Sequence, residues 1–327
     1  MSESGVSVSV VVCTYNGEKF LREQLQSILE QTRPPDEIII SDDGSSDSTL
    51  DIVDEIRASA TSNNSQRWRV LTRETPVGVS GNFASTLLEA GGDFIALSDQ
   101  DDVWEPDRLE RALGEFRDSV LLVHSDATLI DASGQPMGTL MSALRLSGRE
   151  KSSLLRGRAL DVLLRRNVIT GATTVIRSSL VRQALPIPER WVHDEWLGLV
   201  AAIQDGVVFV DSPLIRYRQH GSNEIGANKT DYDEAKRRVQ EKRTDFFQRK
   251  LRRNKGISRM VAQQPPWLSP TAQSALEAKT DFDRWRSALP PSRPQRILPV
   301  FRRWLSGDYG RYARGYLDVI RDFSLTD

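Results

Sequence analysis

The chain has 327 residues, enough for one large domain with an appendage or for two domains, and its 39% hydrophobic and 27% charged residues are the balance of a globular protein. A net charge of −1 hides a division: residues 228–327 hold 22 Lys+Arg against 12 Asp+Glu, which leaves 22 against 33 of the totals of 44 and 45 for residues 1–227. There is no apolar run of about 18 residues, and Met1-Ser2-Glu3-Ser4-Gly5 has no basic start leading into an apolar segment, so neither a membrane span nor a secretory signal is expected.

An acidic first part suits cations and sugars, whereas a basic tail suits an anionic surface. The single cysteine, Cys13, excludes an intrachain disulfide and fits a reducing cytosol. Val6 to Val12 is a nearly continuous β-branched run, which predicts a strand buried on both faces. It ends at Cys13-Thr14-Tyr15-Asn16-Gly17. Phe20, Leu21, Leu25, Ile28 and Leu29 share one face of a predicted helix from Glu18 to Gln31, stopped by Pro34-Pro35. Glu37 to Ser41 reads as a second strand, and Asp42-Asp43-Gly44-Ser45-Ser46-Asp47 turns into a helix carrying Leu50, Ile52, Val53 and Ile56.

Further strands are predicted at Trp68 to Thr72 and Asp93 to Ser98, with a helix from Gly81 to Ala90 between them. Strands separated by helices of this length imply an α/β fold with a mostly parallel sheet. Beyond it come a helix from Glu105 to Phe116, a strand at Val120 to His124, a hairpin turn at Asp131-Ala132-Ser133-Gly134 and a polar connection to Gly157. Asn167 to Ile176 reads as a strand, Asp194 to Gln204 as a helix, and Val207 to Tyr217 as a strand broken at Pro213. Composition changes near Asn223, which predicts a catalytic unit over 1–227 and a basic helical extension over 228–327.

Ser98-Asp99-Gln100-Asp101-Asp102-Val103-Trp104 places three carboxylates in four residues behind an apolar strand. Oxygen donors packed so tightly need a counter-ion and select a hard cation, Mg²⁺ or Mn²⁺. In a parallel sheet Thr14-Tyr15-Asn16 and Asp42-Asp43 reach the same carboxyl edge, where open α/β sheets bind ligands. An aspartate there can accept the ring N–H of a uracil or thymine. Neither a phosphate-binding Gly-x-x-x-x-Gly-Lys-Ser/Thr loop nor a Gly-x-Gly-x-x-Gly turn follows a strand, which argues against P-loop NTPases and dinucleotide dehydrogenases.

Val10-Val11-Val12-Cys13-Thr14-Tyr15-Asn16-Gly17, Asp42 to Asp47, Val77-Gly78-Val79-Ser80-Gly81-Asn82-Phe83 and Ser98 to Trp104, in that order, resemble a family 2 glycosyltransferase with a GT-A fold over residues 6 to 223. With Tyr217-Arg218-Gln219-His220-Gly221-Ser222-Asn223, the chain is most similar to bacterial rhamnosyltransferase-type members that build cell-surface polysaccharides. The resemblance implies a metal-dependent, inverting transfer from a dTDP- or UDP-linked sugar to a glycan or lipid-linked acceptor. It implies that Asp101 meets the cation, Asp99 the cation or ribose, and His220 a third ligand position. Thr14, Tyr15, Asn16 and Asp42 or Asp43 would hold base and ribose, with Asn82 near the donor.

His193-Asp194-Glu195-Trp196 matches the family's catalytic acid pair. Asp194 is the first candidate base and Glu195 the second, and because many relatives carry Glu-Asp where this chain has Asp194-Glu195 the choice between them stays open. Asp194 is also a candidate cap for the helix it opens, a role that lowers a carboxyl pKa. Gly171 and Trp196 would lie on the acceptor side. A sugar-1-phosphate nucleotidyltransferase needs a basic, glycine-rich loop where this chain has Thr14 to Glu18, and the intact acids speak against a non-catalytic glycan-binding protein. Two aromatic–cationic stretches, Lys236 to Arg259 and Ile297 to Tyr316, predict either peripheral contact with an anionic membrane at the inner face of the plasma membrane or a helical appendage that packs its apolar stripe on the catalytic domain. Nothing in the pattern signals nucleic-acid binding.

Overall fold

The computed structural model describes residues 5–61, 66–221 and 242–324. All seven residues of Val8–Thr14 (β1) are buried. Because successive strand side chains point to opposite faces, this means the strand is covered on both sides. Parallel to it run Glu37–Asp42 (β2) and Phe94–Ser98 (β4), with Arg67–Thr72 (β3) parallel to β2 at the sheet edge. In register, Thr14 faces Asp42, Asp42 faces Thr72, and Val12 faces Ser98. The carboxyl ends of the three inner strands therefore form one rim.

Leu21–Leu29 (α1), Thr49–Thr61 (α2) and Gly78–Leu87 (α3) connect and flank these strands. Leu21, Leu25 and Ile28 are fully buried on one face of α1, as the spacing predicts. Beyond β4 the sheet becomes mixed. Its order is β3-β2-β1-β4-β8-β6-β9-β5, where Val103–Trp104 is β5, Leu122–Ile130 is β6, Thr174–Arg177 is β8 and Val207–Arg218 is β9. The β8 strand is antiparallel to both β4 and β6, β9 runs parallel to β6, and β5 pairs antiparallel with β9. The parallel expectation thus describes the first four strands. The hairpin at Asp131 to Gly134 forms between β6 and Pro136–Thr139 (β7).

Three expectations change. The polar stretch before Gly157 contains two helices, Leu140–Ala143 (α5) and Gly148–Leu155 (α6), the second closed by a Ser147/Glu150 capping box. Of the strand expected from Asn167, only Thr174–Arg177 pairs with neighbours, and Gly171–Thr173 forms a 3-10 turn instead. The Pro213 break does not interrupt β9: it coincides with a register shift opposite Asp126, which absorbs the missing proline N–H. Arg108–Gly114 (α4), Ala159–Leu163 (α7), Ser178–Ala184 (α8) and His193–Ala202 (α9) complete this part. The boundary expected at residue 227, with Ser222, Asn223 and residues 236–241 of the basic stretch, lies outside the described residues.

The C-terminal part is helical: Arg243–Gln263 (α10), Pro270–Ser287 (α11), Arg293–Leu305 (α12), Asp308–Tyr312 (α13) and Tyr316–Ser324 (α14). Ile257 and Met260 of α10 and Ala272 and Leu276 of α11 belong to the main core, so these two helices dock on the sheet-containing part. Phe282, Leu289, Val300, Tyr309 and Ala313 form a second, smaller core.

At that second core Arg286 is fully buried, and its Nε and Nη2 each donate to Asp322 at 2.7 Å. The Tyr309 hydroxyl donates to the same carboxylate at 2.5 Å. A buried guanidinium stripped of its partner is costly because nothing replaces its lost hydration. Asp322→Ala is expected to destabilise the protein by about 3–5 kcal/mol in urea titrations, whereas loss of an exposed pair such as Arg284–Asp281 should cost less than about 1 kcal/mol.

Candidate active site

Behind β4 the chain turns through Asp99, Gln100, Asp101 and Asp102, then enters β5, which β9 straps in place. Arg218, at the end of β9 and nearly fully buried, holds this acidic loop from one side. Its backbone N–H donates to Asp102 Oδ1 at 3.0 Å, its Nε to the Asp101 carbonyl at 2.9 Å, and its Nη2 to Glu23 Oε2 at 2.6 Å. Buried Arg108 of α4 supports the other side, stacked 3.7 Å from the Trp104 ring centroid and donating to the Leu97 carbonyl at 3.1 Å.

Burial dominates the electrostatics here. With the nearby charges of Asp101 and Asp194 it pushes the Asp99 carboxyl up to about 7. Asp102 is driven well above the carboxylate range by burial, Asp101 and Asp99, and its Oδ2 is buried without a hydrogen-bond partner. Burial raises Asp101 too, while His220 works the other way. The same burial pulls Arg108 down to about 9 against the opposing field of Asp102 and Asp99. Carboxylates in this state are the natural partners of an added positive charge.

Asp101 Oδ2 and His220 Nε2 lie 2.8 Å apart, so two of the three expected ligands meet. Asp99 does not complete a cage with them. Among the described residues no three His, Cys, Asp or Glu side chains are gathered as a metal-binding group. A two-ligand site still fits Mg²⁺ or Mn²⁺, which use one or two protein groups and fill the remaining positions with water and phosphate oxygens.

The nucleotide-side candidates cluster on the same rim. Gln100 clamps Tyr15, accepting from its N–H at 2.8 Å and donating to its carbonyl at 3.0 Å, which joins the first-strand loop to the acidic loop. Asn16, held at φ 48°, donates from its N–H to Ser45 Oγ and accepts from the Ser46 N–H. Asp42 accepts from Thr14 Oγ1, Ser45 Oγ and the Gly44 and Ser45 N–H groups. Four donors fill the capacity of a carboxylate, so Asp42 shapes the turn and has nothing left for a base. Asp43 accepts only from the Val77 and Gly78 N–H groups at the start of α3 and stays the better base-reading candidate of the two.

Asn82 departs from expectation. It accepts from Ser41 Oγ and Arg73 Nε and donates to the Ser41 carbonyl, which pins α3 to β2 and turns its amide away from a donor role.

On the far side, Asp194 sits in the first turn of α9. Val192, not Asp194, occupies the cap position. Instead Oδ2 accepts the Gly171 N–H at 2.9 Å and Oδ1 the Glu195 N–H at 2.6 Å. Burial outweighs these bonds and pushes Asp194 up to about 6, the opposite of what capping would do. Glu195 is tied to Arg253 of α10 at 2.8 Å, which favours Asp194 as the reacting acid.

Neither Gly171 nor Trp196, the two expected on the acceptor side, exposes a surface. Gly171 is buried and positions Asp194, while buried Trp196 donates its ring N–H to the Ala184 carbonyl at 2.7 Å. Trp196 has the size and spacing of a core residue of α9, and the core is where the fold puts it.

Residues 9–161 match the family model described as glycosyl transferase family 2. Over those residues, just under half of its length, the chain is similar to family 2 glycosyltransferases. An uncharacterized glycosyltransferase of Haemophilus influenzae is 24% identical over 256 residues, covering 75% of each chain. The dTDP-rhamnosyl transferase RfbG of Shigella flexneri is 28% identical over 232 residues, covering 66% of this chain and 74% of that one. Uncharacterized mycobacterial relatives are 28% identical over 221 residues, and there the match spans 59% of their length. The crystal structure of S. aureus TarS residues 1–349 in complex with UDP-GlcNAc has a TM-score of 0.60 at 16% identity, covering 97% of this chain and 90% of that chain. That likeness bears out the fold of the glycosyltransferase.

Sequence reasoning did not single out Arg108, Arg253 or the phenol of Tyr217. Burial and the fields of Asp99, Asp102, Asp101 and Asp194 all raise the Tyr217 pKa, which places it among the four acids. Arg218 and Tyr217 stood inside a quoted motif, whereas Arg108 and Arg253 look like ordinary helix-surface cations until the fold buries the first and pairs the second with Glu195.

A methyl group at Gly171 would stand 2.8 Å from His193 Nε2 and 3.7 Å from Asp194 Cβ. His193 cannot yield easily, since it is buried and stacked on Phe83 at 4.1 Å between ring centroids. Gly171→Ala is therefore expected to lower kcat of the transferase by about tenfold or more, because a misplacement of about 1 Å costs up to about 10²-fold, with donor affinity measured by calorimetry unchanged.

Proposed function

We propose that this glycosyltransferase moves a sugar from a nucleotide-diphospho-sugar to a hydroxyl of a cell-surface or lipid-linked glycan, with inversion at the anomeric carbon. The observation that carries the reading is the pairing of two acidic poles. The Asp99–Asp102 loop stands on the nucleotide rim, and Asp194, a separate half-buried carboxyl pushed up to about 6, lies close enough to raise Asp99.

In an in-line displacement the bond from the anomeric carbon to the diphosphate oxygen breaks as the acceptor oxygen bonds to the opposite face. Asp194 takes the acceptor's proton. Its two accepted N–H bonds leave lone pairs for this, and a base near pKa 6 is matched to neutral pH. Asp43 and the Tyr15–Asn16 loop orient the base and ribose. A divalent cation, Mn²⁺ or Mg²⁺, held by Asp101 and His220 would neutralise the departing diphosphate as a Lewis acid. The relative named as a dTDP-rhamnosyl transferase supports dTDP-rhamnose as the first donor to test.

Purified protein offered UDP-, dTDP- and GDP-sugars is expected to turn over at least one donor and to stop when EDTA is added. Inactivity with every donor overturns the reading, and EDTA-resistant turnover removes the cation from it. Asp194→Asn should cut kcat by about 10²–10⁴-fold, the contribution of a general base, while donor binding survives.

The ionised form of Asp194 is the active one. Activity should therefore be flat above its raised pKa and fall about tenfold per pH unit below about 6. A pH–rate profile whose acid limb lies in the ordinary aspartate range near pH 4 would remove Asp194 from the role.

A further inference from the structure

Among the described residues fourteen large hydrophobic side chains are exposed, and eight of them lie between Ile297 and Ile320. Five belong to α12: Ile297, Leu298, Phe301, Trp304 and Leu305, all 48–68% exposed. At 100° per residue this spacing is a single stripe along the helix. The other three, Tyr316, Leu317 and Ile320, form the matching stripe of α14. The two helices lie side by side, with Arg293 Nη2 donating to the Ser324 carbonyl and Arg296 Nη1 to the Asp322 carbonyl. Both bury their opposite faces on the Phe282–Tyr309 core, so the two apolar stripes turn outward together.

The charges around the stripes are one-sided. Between residues 288 and 324 the acids are Asp308, Asp318 and Asp322, and all three are buried. Asp318 and Asp322 pair with Arg286, and Asp308 with Arg303. Arg293, Arg302, Arg303 and Arg311 are exposed. Between residues 288 and 324 the surface therefore presents apolar side chains rimmed by guanidinium groups, with no exposed acid. A second copy of the chain docking face to face would set arginines against arginines. A bilayer bearing phosphates has the complementary charge and also accepts aromatic and aliphatic side chains at its headgroup boundary.

We propose that the outer faces of α12 and α14 form a docking surface for an anionic lipid bilayer. Leu298, Phe301, Trp304 and Leu317 enter the headgroup–acyl boundary, while Arg302 and Arg311 meet lipid phosphates. Among the described residues no helix is long and apolar enough to cross a membrane, so this contact is a lateral one. It goes beyond the transferase reading and does not rest on it: vesicle binding needs no sugar donor.

The test is co-sedimentation of the full chain with vesicles of phosphatidylcholine alone or mixed with phosphatidylglycerol. Binding is expected only to the mixed vesicles, weakening as salt rises. Leu298→Ser/Trp304→Ser/Leu317→Ser should reduce the partition coefficient by at least about tenfold, and Arg302→Gln/Arg311→Gln by a similar factor, at about 1 kcal/mol per arginine near the surface. These positions are exposed, and unchanged circular dichroism and donor turnover confirm that the variants fold. Three outcomes overturn the proposal: protein that stays in the supernatant with both vesicle types, equal binding to neutral vesicles, or a dimer in sedimentation velocity that the same substitutions abolish.

Discussion

The structure depends on keeping several carboxylates out of water in one place. Asp101 and Asp102 are buried and Asp99 half-buried within one loop, Asp194 acts on Asp99 from α9, and two buried guanidinium groups, Arg108 and Arg218, hold the loop between β4 and β9. Burying one ion without a partner is prohibitive, so each element that touches the loop must bring a donor or a positive charge. This is why β9 ends in Arg218 and why α4 turns an arginine inward. The loop is acidic, and its carboxyls are raised by burial and by one another, which fits the cation and diphosphate of the proposed transfer.

The same logic separates Asp194 from Glu195. Two adjacent acids open one helix, but the fold ties Glu195 to Arg253 and leaves Asp194 with two backbone N–H groups and a raised pKa. The helix bearing Arg253 is itself part of the docked C-terminal region, and the Trp191 ring N–H donates to the Arg253 carbonyl at 2.9 Å. The basic tail is therefore connected to the chemistry through packing. Of its two aromatic–cationic stretches, the first buries Phe246, Phe247, Ile257 and Met260, and only the second presents an apolar face outward.

Much of the fold was legible because the β-branched run at Val8 to Thr14 and the stripe of Leu21, Leu25 and Ile28 obey the periods of a buried strand and an amphipathic helix. The acidic loop was legible because three carboxylates in four residues have few bland explanations. The antiparallel strands beyond β4 were not, since short segments such as Thr174–Arg177 carry too few residues to show a period. Asn82 and Trp196 were read as parts of the cleft because they lie inside motifs, and Gly171 because a glycine at a strand end permits close approach. In space their polar groups are spent on Ser41, Ala184 and Asp194.

The amino-acid sequence by itself determined the chemistry available: the family motifs, the acidic loop, the Asp194-Glu195 pair and the opposite charges of the two parts. Those follow from residue type and local spacing, which a linear chain displays in full. Tertiary structure alone decided which acids are buried, which arginines face them, which of two adjacent carboxyls is left to react, and which amphipathic helices keep an exposed face. Those are matters of burial and long-range proximity. Arg108 with Asp102 and Arg253 with Glu195 acquire their meaning only when the sheet and its helices close around them.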